Sequence, residues 1–292
     1  MNSSLQVGQV EKVNRTFQQA DFDRFAAISG DDNPIHVDPA FSARTKFGRT
    51  VAHGMFLYSV VCGVLDTRLP GPGTLQLDQE LVFPNPTFAG EEVTARVELI
   101  EIEPETGLAV LATATLRPDG RPGLEGRTRV RLPGAGTPVK PAQVTLATGP
   151  AGSTGEWLKG FKIGQRAETR RTFSLHDLAE YVDLTGDANP VFDSSYARRL
   201  GFRGPLVPGG LLGGMVSFLL GTRLPGPGTN YLKQRLEFLA PAYTNQELIA
   251  TVEVRRLRPE KQLVNLVTRC LNPTGEVVCL GEALVLVSDL QE

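Results

Sequence analysis

The stretch VAHGMFLYSVVCGVLDTRLPGPGT, residues 51–74, opens with fifteen residues free of Asp, Glu, Lys and Arg and then breaks into a proline and glycine turn. A helix that is apolar on every face has to be enclosed by protein. The same arrangement returns at 206–229 as LVPGGLLGGMVSFLLGTRLPGPGT, its last eight letters unchanged 155 residues later. Two prolines and two glycines after a helix are an ordinary turn signal. Their verbatim return points to a duplicated unit.

The duplication extends outward in both directions. VGQVEKVNRTF at 7–17 matches IGQRAETRRTF at 163–173, and SGDDNPIH at 29–36 matches TGDANPVF at 185–192. Downstream, LQLDQELVFPNPTFAGEEVTARVEL has its counterpart in NYLKQRLEFLAPAYTNQELIATVEV. Between the copies runs GAGTPVKPAQVTLATGPAGSTG, whose Gly, Pro, Ala and Thr content is that of a linker. We therefore expect a domain over 1–134, a linker over 135–156 and a second domain over 157–292. A length of 292 residues suits two such units.

Each copy reads alike. Gln18–Ser29, with Phe22, Phe25, Ala26 and Ile28, and Ser174–Thr185, with a Ser-x-x-Asp start, predict short amphipathic helices ending at Gly-Asp. A polar loop and a short helix, PAFSARTKFG or SSYARRLGF, lead into the apolar helix. Alternating strands follow, with Val93, Ala95, Val97 and Leu99 on one face and Leu248, Ala250, Val252 and Val254 on the matching one. One enclosed helix followed by long antiparallel strands predicts an α+β fold in which a sheet wraps the helix, the hot-dog architecture, here doubled in one chain.

Composition excludes several functions. A net charge of −2 offers no attraction to nucleic acid or anionic membrane, and no signal pattern opens the chain, so a cytoplasmic location is expected. Cys62, Cys270 and Cys279 lie in apolar runs without CxxC spacing and read as reduced core residues. No dinucleotide fingerprint, phosphate loop or metal-ligand cluster stands out, so neither a redox cofactor nor a metal is expected.

The loop SGDDNPIHVD resembles the signature of the MaoC-like, R-specific enoyl-CoA hydratase family, and His53-Gly54 at the head of the apolar helix is a second shared feature. The resemblance covers both halves. It implies that Asp31 and His36 are a catalytic pair, that Asn33 orients the loop or a water, and that the backbone N–H of Gly54 binds the thioester oxygen. It further implies a substrate pocket that includes His53, Met55, Phe192 and Gly209. The substrate would be an acyl thioester of coenzyme A or of acyl carrier protein, as in fatty acid metabolism. Such chemistry needs one group to take a proton from water, one to deliver a proton to C2, and donors for the oxygen that gains charge. An Asp/His pair and a helix N-terminus supply these.

The second copy lacks parts of this set. Phe192 stands at the place of His36, and Pro208 and Gly209 at the places of His53 and Gly54, so Asp187 is left without its imidazole partner. One active site per chain is expected, in the first copy. Hot-dog domains pair through their sheets, so the chain should form its own pseudo-dimer, with room for a homodimer of whole chains. In related two-domain members the silent half makes room for long acyl chains, and the small residues of LVPGGLLGGM suggest the same. Arg44, Lys46, Arg49, Arg198 and Arg199 are candidates to meet coenzyme A phosphates. Two other readings are a hot-dog thioesterase, for which the apolar helix offers no carboxylate before Asp66, and a non-enzymatic acyl-thioester-binding protein.

Overall fold

In the computed structural model, which describes residues 5–134 and 160–287, the elements follow the duplicated pattern; the expected linker lies outside the described residues. The first half runs β1 (Val10–Thr16), α1 (Gln19–Ser29), α2 (Pro34–Val37), α3 (Pro39–Ser42), α4 (Gly54–Thr67), β2 (Leu75–Val82), β3 (Glu92–Glu103), β4 (Leu108–Leu116) and β5 (Pro122–Arg131). The second half runs β6 (Arg166–Thr172), α5 (Leu175–Thr185), a 3-10 turn (Pro190–Phe192), α6 (Ser194–Arg199), α7 (Gly209–Thr222), β7 (Thr229–Phe238), β8 (Glu247–Arg258), β9 (Leu263–Leu271) and β10 (Val277–Val287). Among the described residues no helix is long and apolar enough to cross a membrane.

All ten strands join one antiparallel sheet in the order β1-β3-β4-β5-β2-β7-β10-β9-β8-β6. The seam between the halves is the β2–β7 ladder, where Asp78 faces Glu237 and Leu81 faces Gln234. The strand alternation read from sequence is real: Val93, Ala95, Val97 and Leu99 point into the core, as do Leu248, Ala250, Val252 and Val254. The sheet wraps α4 and α7, which pack on each other. Every residue from Met55 to Asp66 is buried, which explains an apolar run with no polar face.

Small residues let these two helices approach. A Cβ on Gly210 or Gly213 of α7 would collide with Ser59 or Met55 of α4, and one on Gly214 would lie 2.7 Å from the Cβ of Ser29. The space that the glycines of LVPGGLLGGM leave is therefore filled by first-half side chains. The expectation that it widens an acyl tunnel is corrected on this point.

Arginines also tie the halves together. Arg171 on β6 donates to the Ala27 carbonyl at 2.6 Å, and Arg15 on β1 donates to the Leu184 carbonyl. Each guanidinium thus satisfies a carbonyl in the last turn of the other half's helix, α1 or α5, where the helix dipole also favours a cation. The repeated TRLPGPGT turn has the same shape twice, with cis peptides at Leu69–Pro70 and Leu224–Pro225. Gly71 and Gly226, at φ of +107° and +90°, occupy backbone regions that favour glycine.

The glycine-mediated contact gives a direct test. Gly214→Val forces a branched side chain into Ser29 and is expected to lower stability by about 1–3 kcal/mol in denaturant unfolding. An unchanged midpoint would show that α4 and α7 are not closely packed there.

Candidate active site

The loop after α1 is shaped by its own small polar residues. Gly30, at φ +84°, ends the helix. The Asp31 amide donates to Ser29 Oγ at 3.2 Å, and Asn33 Oδ1 caps α2 by accepting from the Ile35 amide at 3.3 Å. Pro34 is the first helical residue. His36 therefore sits on a short helix, where the sequence alone reads as open loop.

His36 Nδ1 lies 2.7 Å from the carbonyl oxygen of Val51. A carbonyl can only accept, so in the neutral ring Nδ1 carries the hydrogen and Nε2 keeps a free lone pair. The ring stacks on that of His53, with centroids 3.9 Å apart and planes 30° apart. His53 Nε2 in turn lies 2.9 Å from the Asp31 carbonyl oxygen. Asp31 is fully buried, and neither carboxylate oxygen has a hydrogen bond of good geometry.

Burial pushes the Asp31 pKa up, opposed by the His36 charge and by the Ser217 hydroxyl from the other half. Burial pushes His36 down, opposed by Asp31 and by the Val51 carbonyl. Both shifts oppose the charged forms of the pair, and each group's charge in turn favours that of the other. One donor atom from each of Asp31, His36 and His53 falls within 4.8 Å of the others. Imidazole lone pairs lie in the ring planes, so two stacked rings direct them side by side. That geometry suits proton transfer better than convergence on one metal ion.

His36 opens onto a cleft built by both halves, while Asp31, fully buried, is not among the residues that line it. Asn33, His36, Gly54, Leu57 and Phe83 come from the first, and Ser217, Leu220, Gly221 and Tyr231 from the second. The Gly54 amide stands at the first position of α4, where a backbone N–H has no partner within the helix. A Cβ on Gly54 would lie 2.8 Å from the Phe83 ring, and one on Gly221 would strike the Asn33 amide. Glycine at 54 is thus required by the packing of Phe83, in addition to any approach of a substrate.

Of the residues expected to bind substrate, the structure brings none of His53, Met55, Phe192 or Gly209 to the cleft lining. His53 lies behind His36, Met55 is buried against Gly213, and Gly209 sits under Phe238 and Tyr58. Phe192 is half-buried beside Tyr181 in the second half. Ser217, Leu220 and Tyr231, missed by the sequence reading, reach the cleft from the other half. Only the pairing of the copies could have revealed them.

The matching place in the second half is closed. The Tyr181 hydroxyl donates to Asp187 Oδ2 at 3.2 Å, and Asp66 from α4 lies beside Asp187. Asp187 has lost an imidazole but gained a tyrosine and a second carboxyl group, which corrects the expectation that it stands without a partner. Asp66 is buried beside Asp187, at the second half's loop rather than at the Asp31–His36 pair.

A profile of the MaoC like domain matches residues 4–115 and 160–272. The chain belongs to the MaoC-like domain family. Among curated MaoC-type relatives, the (R)-specific enoyl-CoA hydratase of Aeromonas caviae is 42% identical over 130 residues, 44% of this chain and 97% of that protein. The 3-hydroxybutyryl-CoA dehydratase of Methylorubrum extorquens is 40% identical over 129 residues, 44% of this chain and 82% of that protein. A solved MaoC-like dehydratase superposes with a TM-score of 0.76 at 19% identity, covering 97% of this chain and 98% of that one. A double hot-dog protein of Mycobacterium tuberculosis does so with a TM-score of 0.74 at 18% identity, covering 97% and 96%. These two likenesses establish the MaoC-like double hot-dog fold.

The closed site has a pH signature. Burial pushes Asp187 up to about 6, and burial together with Asp187 pushes Asp66 well above the usual carboxylate range. An acid whose pKa is raised on folding keeps a proton that the unfolded chain releases. Its contribution to stability is complete below about pH 4 and is lost as pH rises through about 6. Asp66→Asn is therefore expected to raise Tm at pH 8, with a gain that fades toward pH 4. A gain independent of pH would rule out the shared acid pair.

Proposed function

We propose that the chain is a hydro-lyase that adds water reversibly to trans-2-enoyl thioesters of coenzyme A, giving 3-hydroxyacyl thioesters. The observation that carries this reading is His36 in the lining of a cleft shared by both halves, with the buried Asp31 close behind it and Phe192 at the twin position. In hydration, water adds to C3 and its proton passes to the free Nε2 of His36. A proton from the Asp31–His36 pair goes to C2, so that the pair, having taken one proton from water and given one to carbon, returns to its starting state. In dehydration the steps run in reverse. The Gly54 N–H, aided by the dipole of α4, stabilises the oxygen that gains charge in between. The R configuration of the product follows the name of the Aeromonas caviae relative.

The test is the loss of conjugated-thioester absorbance with crotonyl-CoA and longer trans-2-enoyl-CoA, with chiral analysis of the product. His36→Ala and Asp31→Asn are expected to lower kcat/KM by roughly 10²–10⁴-fold, whereas Asp187→Asn leaves it near wild type. Release of free thiol in place of hydration would support the thioesterase reading, and inertness of the folded wild type would remove the hydro-lyase.

A further inference from the structure

Behind the Asp31–His36 pair lies a buried histidine that the proposed chemistry does not use. His53 is the residue before α4, is fully buried, and stands between Phe25, at 5.1 Å between centroids, and Phe22, at 6.4 Å. Burial holds its pKa well below the usual value, so the ring is neutral. Its Nε2–H donates to the Asp31 carbonyl at 2.9 Å. Its Nδ1 is buried with no partner. Leaving a polar atom in that state is unfavourable, a cost that a purely apolar core residue would not carry.

The second copy acts as an internal control. There Pro208 replaces His53 and Phe192 replaces His36, yet the loop keeps its turn. The Asp187 amide donates to Thr185 Oγ1 at 3.2 Å and the Val191 amide to Asn189 Oδ1 at 3.2 Å, as their first-half counterparts do. The loop therefore forms without a histidine at this place. What goes missing along with His53 is the other imidazole. The remaining task for His53 is the one its geometry describes, contact with the reacting groups from behind.

We propose that His53 is a positioning residue for the Asp31–His36 pair, anchoring the Asp31 backbone through Nε2–H and setting the plane of the His36 ring through the stacked faces. Held from both sides, by the Val51 carbonyl at Nδ1 and by the His53 face, the His36 ring presents Nε2 in one direction. This inference rests on the hydro-lyase reading for its catalytic consequence, but not for its structural one.

Two substitutions divide the roles. His53→Phe keeps an aromatic face and loses the donor; His53→Gln keeps a donor and loses the face. In each, kcat for trans-2-enoyl-CoA hydration is expected to fall roughly ten- to a hundredfold with KM within about twofold, while circular dichroism shows a folded protein. Adding His53→Phe to His36→Ala is expected to cause little further loss. Nitrogen-15 spectra of labelled histidine, which need no substrate, are expected to show the His36 signals moving from their Nδ1–H tautomer pattern in both variants. Wild-type kcat with unmoved His36 signals overturns the proposal, as does a loss that only tracks the fraction of unfolded protein. Wild type inert toward enoyl-CoA, with His36 signals still shifting in the variants, overturns the hydro-lyase reading and leaves the positioning intact.

Discussion

The contact between α4 and α7 is the constraint on which the rest of the molecule depends. Glycine on one helix meets Met55, Ser59 and Ser29 on the other side, so the two enclosed helices share a surface that neither half could bury alone. The β2–β7 ladder closes the sheet around them, and the arginines on β1 and β6 each hold the last turn of the other half's helix. Once the helices are that close, the loop after α1 must lie over the C-terminal part of α7, which brings Asn33 against Gly221 and Asp31 within the influence of Ser217.

The active cleft is for this reason a product of the pairing, and its twin is too. Both places receive a Gly-Asp-x-Asn-Pro loop from one half and a helix from the other. In the first, the helix contributes small residues, Ser217 and Gly221, and His36 faces the cleft with Asp31 buried behind it. In the second, the helix contributes Cys62 and Asp66, and these, with Tyr58 and Tyr181, occupy the volume around Asp187. The two halves have diverged in complementary ways, since the residues that close the second site belong largely to the half that is active in the first.

Much of this was legible in the sequence because duplication makes a chain its own comparison. The repeated turn located the two domains, the all-round apolar runs located the enclosed helices, and period-two alternation located strands such as β3 and β8. Asp31, Asn33, His36 and Gly54 were singled out by the resemblance of their loop and helix start to the family signature, and a helix stop, a cap and a helix start fix where the fold puts them. The residues supplied across the seam were not. Nothing local in Ser217 or Tyr231 says which surface it will face, and the glycines of α7 read equally as empty space or as close packing until their neighbours are known. His53 and Met55 were assigned to the pocket through the family resemblance, but His53 packs behind His36 and Met55 against Gly213.

The order of the sheet carries a last consequence for how such a chain can be assembled. Were the two halves separate polypeptides with nearly equal seams, each could pair with itself as well as with the other. Like pairs of the second half would carry no Asp–His pair, and like pairs of the first would set Tyr58 and Asp66 against the loop that bears Asp31 and His36. Covalent joining makes the productive pairing intramolecular, so every chain that folds is matched correctly whatever its concentration. The linked second half thus enforces stoichiometry, and its own divergence is tolerated only because it never has to meet a copy of itself across that ladder.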